Sequence, residues 1–274
     1  MTQAALVSLL ALLAAGPAAA ASQALIWSDE FDGVQLDSGK WTARRDCWGG
    51  GNEERQCYVD DAGTITVSNG MLRITARRQA VKGRLRREGD PSLEEVSRDF
   101  SSGRIETRGA ASFRYGRIAV RAKLPIGQGL WPAIWMLPEH DNYGPYPLSG
   151  EIDIAEAVNL GVRCLGCADR VQGTVHHGPD LQRNHMRSGA ATLRNVAAFH
   201  VFALDWTPRK MTWSIDGEPY FSQPTRQPFD QRFHLILNLA VGGRWPETTG
   251  RGGVDEEIFP ASLLVDWVRV YAEP

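Results

Sequence analysis

Residues 116–124 read Gly-Arg-Ile-Ala-Val-Arg-Ala-Lys-Leu, and this stretch decides the fold class. From Ile118 to Leu124 every second residue is apolar, and the residues between them include Arg121 and Lys123. Successive side chains of a β-strand point to opposite faces. The alternation therefore predicts a strand with one face in a hydrophobic core.

Similar short runs recur along the chain between clusters of Gly, Asp, Asn and Pro. They lie at residues 64–67, 72–76, 233–241 and 263–271. The runs 211–215 and 218–221 flank Asp216-Gly217, and Asp-Gly between two such runs is a strong signal for a β-hairpin. Roughly a dozen strands, with no long amphipathic helix and no internal repeat, predict an all-β protein built as a single antiparallel sandwich.

The charged residues are nearly balanced, with 30 Lys and Arg against 32 Asp and Glu and a formal net charge of −2. A nucleic-acid-binding protein needs a basic stripe, and a polybasic membrane binder needs a basic cluster. We therefore expect no nucleic-acid partner and no membrane binding by the mature chain. The hydrophobic fraction of 43% is ample for a sizeable core.

The first residues are typical of a targeting segment. Residues 4–21 are apolar and end in a run of alanines, as a secretory signal peptide does. Residues 1–3 carry no Lys or Arg, and the alternative is an uncleaved membrane anchor, for which this Ala-rich stretch is short. We expect residues 1–21 to be a cleaved signal peptide and the mature protein, residues 22–274, to be secreted or periplasmic.

All four cysteines lie in the expected mature chain, where export permits disulfides. Four cysteines allow three pairings. We expect local bridges, Cys47–Cys57 and Cys164–Cys167, because each pair brackets a loop. A zinc site or a redox C-x-x-C at residues 164–167 is the alternative, but no His pair lies at zinc-finger spacing.

Three carboxylates lie in the stretch Gly150–Glu156, which reads Gly-Glu-Ile-Asp-Ile-Ala-Glu. In a strand, Glu151 and Asp153 point to one face and the isoleucines that follow them point into the core. Glu156 is an odd number of residues from Glu151, so a regular strand would place it on the opposite face. One extra residue, a β-bulge around residues 154–155, returns Glu156 to the face of the other two acids.

Paired carboxylates suit a glycosidase, and crowding raises the pKa of at least one of them, as a general acid requires. The same acids could instead hold a divalent metal ion or form a solvated outer face. Trp131 and Trp135 lie shortly before them and share one face of an extended chain. Flat aromatic rings stack on the apolar faces of sugars, so these residues favour a carbohydrate cleft, although Trp side chains also fill cores.

The hexapeptide Glu-Ile-Asp-Ile-Ala-Glu resembles the active-site signature of glycoside hydrolase family 16, in its bulged, laminarinase-like form. Further segments are similar to the family and follow in family order. They are residues 27–33, 49–53, 115–117, 131–138, 173–176, 237–246 and 265–271. The resemblance covers nearly all of residues 22–274, which we identify as a catalytic domain of this family.

The resemblance implies a β-jelly-roll sandwich with a substrate cleft across its concave sheet. It implies a monomeric enzyme that hydrolyses a polysaccharide, β-1,3-glucan, in an endo manner with retention of configuration, and that needs no cofactor for catalysis. By position, Glu151 would be the nucleophile and Glu156 the general acid/base. Asp153 would form a hydrogen bond with the nucleophile and tune it.

The resemblance also implies residues outside the catalytic strand. The side chains that would line the cleft are Asn52, Arg104, Trp131, Trp135, His176 and Trp245. The family often carries a structural calcium ion on the convex side, and oxygen ligands suit calcium. The matching ligand positions are Glu30, Gly70 and Asp266.

Three segments depart from the family pattern, at residues 79–100, 144–147 and 162–170. The first is a charged stretch with a Gly-Asp-Pro turn, and we expect it to form a surface loop. Loops of this kind border the cleft, so a mixed-linkage β-1,3-1,4-glucan or a galactan remains an alternative substrate. A non-catalytic β-glucan-binding protein is a further alternative, but such relatives usually lose the acids that this chain keeps.

Overall fold

The computed structural model describes residues 23–86 and 90–273, so the expected signal peptide at residues 1–21 lies outside the described residues. Within these ranges the chain forms strands joined by short turns. The strands are β1 (Leu25–Asp29), β2 (Thr42–Ala43), β3 (Gln56–Tyr58), β4 (Ile65–Val67), β5 (Leu72–Arg84), β6 (Glu95–Ser102), β7 (Arg104–Glu106), β8 (Gly116–Lys123), β9 (Leu130–Pro138), β10 (Glu151–Glu156), β11 (Arg170–His177), β12 (His185–Thr192), β13 (His200–Trp206), β14 (Lys210–Ile215), β15 (Glu218–Pro224), β16 (Phe233–Val241) and β17 (Ala261–Tyr271). A short α-helix, α1 (Arg244–Thr248), and three 3-10 turns, Gly49–Gly51, Leu181–Arg183 and Glu256–Ile258, complete the described elements.

The strands form two sheets that face each other. The seven-stranded sheet has the order β12-β11-β10-β9-β16-β7-β2. The ten-stranded sheet has the order β15-β14-β13-β8-β17-β5-β6-β3, with β1 paired to β17 and β4 paired to β5. Neighbours run antiparallel except β3 and β6, which are parallel. The expected all-β jelly-roll sandwich is confirmed.

The core lies between the two sheets and is built from the inward residues of the alternating runs. In β8, Ile118, Val120 and Ala122 are fully buried, as the sequence pattern predicts. Trp206 and Trp213 of the ten-stranded sheet are fully buried as well. Some of the Trp residues therefore fill the core, and others remain for the outer face of the seven-stranded sheet.

The predicted hairpin and the predicted disulfides are both present. Strands β14 and β15 are joined through Asp216 and Gly217, whose φ angles of 52° and 86° are those that a tight hairpin turn requires. Cys47 is bonded to Cys57, and Cys164 is bonded to Cys167. The local pairing therefore holds, and neither pair is left for zinc.

The interpretation of residues 79–100 as a surface loop is wrong. Strand β5 extends to Arg84 and pairs with β6 from Glu95, which makes a two-stranded ribbon. One face of its outer part is exposed and the other is only half-buried, and on the exposed face Lys82 Nζ lies 2.6 Å from Glu95 Oε2. Because the half-buried face carries Gly83 and Arg98 beside its valines, the alternation of apolar and polar residues is too weak to indicate strands here.

Within residues 23–86 and 90–273, no helix has both the length and the apolar character that crossing a bilayer would require.

Candidate active site

The centre of the seven-stranded sheet carries the predicted β-bulge. Against β9, Asp153 pairs with Trp135 and Ala155 pairs with Ile134, so two residues of β10 advance against one residue of β9. The same irregularity occurs against β11, between Asp153 and Glu156. The strand therefore contains one extra residue where the spacing of the acids requires it.

The bulge sorts the side chains of β10 between the core and the outer face. Ile152, Ile154 and Ala155 are at most 1% exposed and pack in the core. Glu151 and Glu156, at the two ends of the strand, are half-buried. The acids therefore lie on the face that points away from the core, across the middle of the sheet.

Burial and mutual repulsion raise the pKa of all three carboxyls. Burial, followed by the charge of Asp153, raises the pKa of Glu151 to about 8. Burial, followed by the charge of Glu151, raises the pKa of Glu156 to about 7. The pKa of Asp153, which is 1% exposed, is also raised, by burial first and then by Glu156. The three groups titrate as one cluster that retains protons near neutral pH.

His176 of β11 lies beside the cluster. Its backbone pairs with that of Glu151 across the two strands, and its Nε2 lies 3.2 Å from Asp153 Oδ2. Its positive form would lower the pKa of both Glu151 and Glu156. One potential ligand atom from each of Glu151, Asp153 and His176 lies within 4.8 Å of the other two, so these three residues could also hold a metal ion.

Trp131 of β9 contacts the acid at the far end of the cluster. Its indole Nε1 donates a hydrogen bond of 3.0 Å to Glu156 Oε1. Its ring meets the ring of Trp245, which follows β16, edge to face with centroids 5.3 Å apart. The two predicted cleft residues therefore form an aromatic corner next to Glu156.

Trp135 lies four residues further along β9, on the same face. Its Nε1 donates a hydrogen bond of 2.6 Å to Asn238 Oδ1 of β16. The guanidinium carbon of Arg104 lies 5.0 Å from the centroid of the Trp135 ring, and Arg104 Nη2 donates to Glu106 Oε2 at 3.3 Å. Arg104 and Trp135 thus form one stacked unit beside the acids.

Asn52 lies in the turn that carries Gly49–Gly51. Its carbonyl accepts a hydrogen bond of 2.8 Å from the backbone N–H of Arg244, next to Trp245. Its side chain donates to Glu54 Oε1 at 3.4 Å. The structure thus connects the turn with the segment that holds Trp245. All six predicted substrate-binding residues lie beside the acid cluster or beside a residue that contacts it. Their contacts with a substrate stay predictions.

Four further residues near the acids were missed from the sequence. They are Glu54, Tyr58, Tyr146 and Asn238. Burial, followed by the charge of Glu151, raises the pKa of the Tyr146 phenol. Residues 52–56 are all polar, so no alternation in the sequence distinguishes Glu54 or Tyr58 from their neighbours.

The predicted calcium ligands lie on the side of the other sheet, where arginines form ion pairs with the two carboxylates among them. Both carboxylate oxygens of Glu30 accept hydrogen bonds from Arg269, at 2.9 and 2.8 Å. Asp266 forms an ion pair with Arg121. Gly70 lies in a turn with φ of 68°. As arranged, these residues do not fit a cation, because each carboxylate is already neutralised, and the calcium ion stays a prediction.

Comparison with known proteins identifies the family. The family model described as glycosyl hydrolases family 16 matches residues 52–268. The chain belongs to glycosyl hydrolases family 16. The resemblance drawn from the sequence is therefore confirmed, and the protein is a glycoside hydrolase by class.

Curated members of family 16 resemble most of the chain. A β-glucanase of Rhodothermus marinus is 41% identical over 270 residues, which cover 90% of this chain and 84% of the relative. A glucan endo-1,3-beta-glucosidase A1 of Niallia circulans is 36% identical over 93% of this chain, which spans 39% of that longer protein. The solved laminarinase of Rhodothermus marinus superimposes with a TM-score of 0.77 at 41% identity, covering 91% of this chain and 97% of the other.

Proposed function

We propose that residues 22–274 form a secreted, endo-acting hydrolase that cleaves β-1,3-glucan of the laminarin type with retention of configuration. The observation that carries the proposal is the bulged strand β10, which sets Glu151 and Glu156 on one face with Trp131 bonded to Glu156. The similarity to a β-glucanase and to a glucan endo-1,3-beta-glucosidase supports the choice of substrate.

In the proposed reaction, Glu151 attacks the anomeric carbon while Glu156 gives its proton to the oxygen of the leaving sugar. The glycosidic bond breaks and a covalent ester between the sugar and Glu151 forms. Glu156, now a carboxylate, then removes a proton from water, which attacks the same carbon and releases Glu151. Two inversions at one carbon give net retention.

The roles require Glu151 to be ionised while Glu156 keeps its proton, the reverse of the order of their pKa values, about 8 and about 7. The proton of the Glu151–Asp153 pair must therefore lie on Asp153 during the attack. The pKa of Asp153 is raised by burial, which suits a carboxyl that holds a proton. A proton on Asp153 leaves Glu151 free to act as nucleophile and lets Asp153 donate to it.

The aromatic corner and the stacked Arg104–Trp135 unit supply the proposed sugar-binding surface. The side chain of Arg104 is 14% exposed, and its guanidinium has further N–H groups beside the one bonded to Glu106, so it can donate to a substrate hydroxyl. The rings of Trp131 and Trp245 present apolar surface beside Glu156. These groups suit a glucan chain that runs across β9, β10 and β11.

Laminarin tests the proposal directly. Incubation of the purified protein with laminarin should release new reducing ends, and early proton NMR spectra should show the β-anomer of the product before mutarotation. Cleavage of lichenan or of a galactan, but not of laminarin, would instead support the alternative substrates. Binding of laminarin without any turnover, unaltered in Glu151→Gln, would support a glucan-binding protein and reject the hydrolase.

A metal-dependent reaction is the second candidate, because Glu151, Asp153 and His176 offer ligand atoms within 4.8 Å of one another. The two candidates differ under chelation. The proposed double displacement uses only carboxyl groups and water, so turnover of laminarin should survive dialysis against EDTA. Loss of turnover that added Zn²⁺ or Mn²⁺ restores would favour the metal-dependent reaction.

Export and the monomeric state belong to the same proposal. The signal-like residues 1–21 and the two disulfide bonds support a secreted or periplasmic protein. Mass spectrometry of the protein recovered from the medium or the periplasm should find the N-terminus near residue 22. Light scattering of that protein should give the mass of one chain. Recovery in the cytoplasm with residues 1–21 intact would contradict export.

A further inference from the structure

A buried carboxylate outside the catalytic strand lies at the centre of a hydrogen-bonded network in the wall of the site. Glu54 is 6% exposed and lies just before β3. Its Oε2 accepts hydrogen bonds from Gln56 Nε2 at 2.7 Å and from Tyr58 Oη at 3.4 Å. Its Oε1 accepts from Asn52 Nδ2 at 3.4 Å. A buried charge is costly, so its presence here asks for a function.

The network continues from Glu54 to the aromatic surface of the cleft. Tyr58 Oη accepts a hydrogen bond of 3.0 Å from Asn238 Nδ2. Asn238 Oδ1 in turn accepts the bond of 2.6 Å from Trp135 Nε1. Tyr58 and Asn238 are 5% and 6% exposed, so water competes little for these groups. One chain of hydrogen bonds thus links Glu54 to the ring on which Arg104 is stacked.

The turn before Glu54 is folded around the same carboxylate. A Cβ atom at Gly50 would lie 2.1 Å from Glu54 Oε1. Gly50 therefore cannot carry a side chain while the carboxylate keeps its place, and its φ of 63° also favours glycine. The turn carries Asn52, so the position of Glu54 decides the position of the Asn52 side chain.

The network requires an acceptor with no donor of its own. Asn52, Gln56 and Tyr58 all donate to Glu54, and a carboxylate can accept all three bonds. A glutamine at this position would turn an NH₂ group towards at least one donor. A side chain of the same size as glutamate is therefore not sufficient at position 54, because the network needs a group that only accepts hydrogen bonds.

We infer that Glu54 is a positioning residue, which holds Asn52 directly and holds Trp135 through Tyr58 and Asn238, so that the cleft is ready for a glucan chain. The inference rests on the proposed function. It predicts that breaking the network weakens the binding of substrate more than it destabilises the fold.

The charge of Glu54 provides a second readout. After burial and the charge of Glu151, the charge of Glu54 also raises the pKa of Glu156, whereas Trp131 and His176 lower it. Asp153 also faces Glu156 within the cluster. Arg104 is the cation that acts on Glu54 itself. Removal of the Glu54 charge should lower the pKa of Glu156, whereas removal of the Tyr58 hydroxyl should not.

Kinetics of Glu54→Gln, Tyr58→Phe and the double variant on laminarin test the inference. We expect each single variant to raise KM roughly tenfold, the value of one hydrogen bond to a charged group, with a smaller fall in kcat. The double variant should be less than additive, because both changes break one network. Only Glu54→Gln should move the alkaline limb of the kcat/KM profile to lower pH.

Tyr143→Phe is the matched control, since Tyr143 Oη donates to Asp230 Oδ1 at 2.7 Å outside the network. It should keep the wild-type KM. Wild-type KM in Glu54→Gln and Tyr58→Phe, or an equal rise in Tyr143→Phe, would overturn the inference while wild-type turnover keeps the proposed function. If Glu54→Gln does not fold, Tyr58→Phe decides. A wild type that leaves laminarin intact would remove the proposed function and the inference with it.

Discussion

Carboxyl groups have their pKa values shifted in opposite directions on the two sheets. On the seven-stranded sheet, Glu151, Asp153 and Glu156 crowd together, and burial raises the pKa of each. On the ten-stranded sheet, the guanidinium of Arg269 forms two hydrogen bonds with Glu30 and lowers its pKa. Near neutral pH, glutamate side chains therefore retain protons on one sheet, whereas Glu30 on the other sheet is an anion.

The difference shows what makes a carboxyl group chemically useful. A carboxylate neutralised by arginine is stable and unreactive, whereas carboxyls that neighbour one another share protons and can exchange them with a substrate. The bulge in β10 creates the second situation because it adds a third acid to the same face. Variants that change one sheet at a time can test this contrast.

The largest expected effect is on turnover. Glu151→Gln and Glu156→Gln should each lower kcat on laminarin by at least 10²–10⁴-fold, because each removes a group that transfers a proton or attacks carbon. Initial rates of reducing-end release measure the loss. Circular dichroism serves as the control and should show an unchanged fold. Near wild-type turnover in Glu156→Gln would show that the acid is a different residue.

The same substitutions should stabilise the fold at alkaline pH. The pKa values of Glu151 and Glu156 lie above their ordinary value of 4.5, so the folded state binds more protons than the unfolded state between about pH 4.5 and 8. Wild-type stability therefore falls as the pH rises through this window. Glutamine stays neutral, so each variant should gain on the order of 2 kcal/mol over wild type at pH 8 and little at pH 4.

Urea unfolding at pH 4, 6 and 8 measures this gain. If the difference in the free energy of unfolding between variant and wild type is the same at all three pH values, the charges of the acids do not destabilise the folded protein. A gain at pH 8 combined with lost turnover would show that the cluster trades stability for chemistry.

The contribution of the arginine pair should be smaller. The side chains of Glu30 and Arg269 are each 35% exposed, so Arg269→Gln should cost only about 0.5 kcal/mol at pH 7. Because the pKa of Glu30 is lowered in the folded state, this stabilisation is present above pH 4.5 and is lost as the pH falls through the folded value. Urea unfolding of the variant at pH 7 and pH 3 checks both points, and a loss that persists at pH 3 would contradict the ion-pair explanation.

The smallest expected effect is that of calcium. Since arginines neutralise Glu30 and Asp266, EGTA should leave the Tm of the purified protein unchanged. A control with added Ca²⁺ should give the same Tm. A fall in Tm with EGTA that Ca²⁺ reverses would restore the predicted calcium site and show that the arginines release the carboxylates.

Local patterns in the sequence were sufficient for much of the fold. The alternation in residues 116–124 predicted β8, and Asp216-Gly217 predicted the hairpin. The odd spacing of Glu151 and Glu156 predicted the bulge, because a strand has a strict period of two. Each of these features depends on residues that are close together along the chain.

The features that were missed depend on distant partners or on the lack of a core. The outer part of the β5–β6 ribbon is exposed on one face and only half-buried on the other, so burial imposes only a weak pattern on its sequence. Tyr58 and Asn238 are 180 residues apart, and Glu30 and Arg269 are 239 apart. No local pattern can report such pairs, since only the folded sheets bring them together.

A covalent trap tests the central claim, that the bulged strand sets Glu151 as nucleophile opposite Glu156 as acid. A β-1,3-linked glucose disaccharide with fluorine at C2 and fluoride as leaving group should form the ester and slow its hydrolysis. Peptide mass spectrometry should then find one disaccharide on Glu151. An adduct on Glu156, or rapid turnover of laminarin with no adduct, would contradict the account.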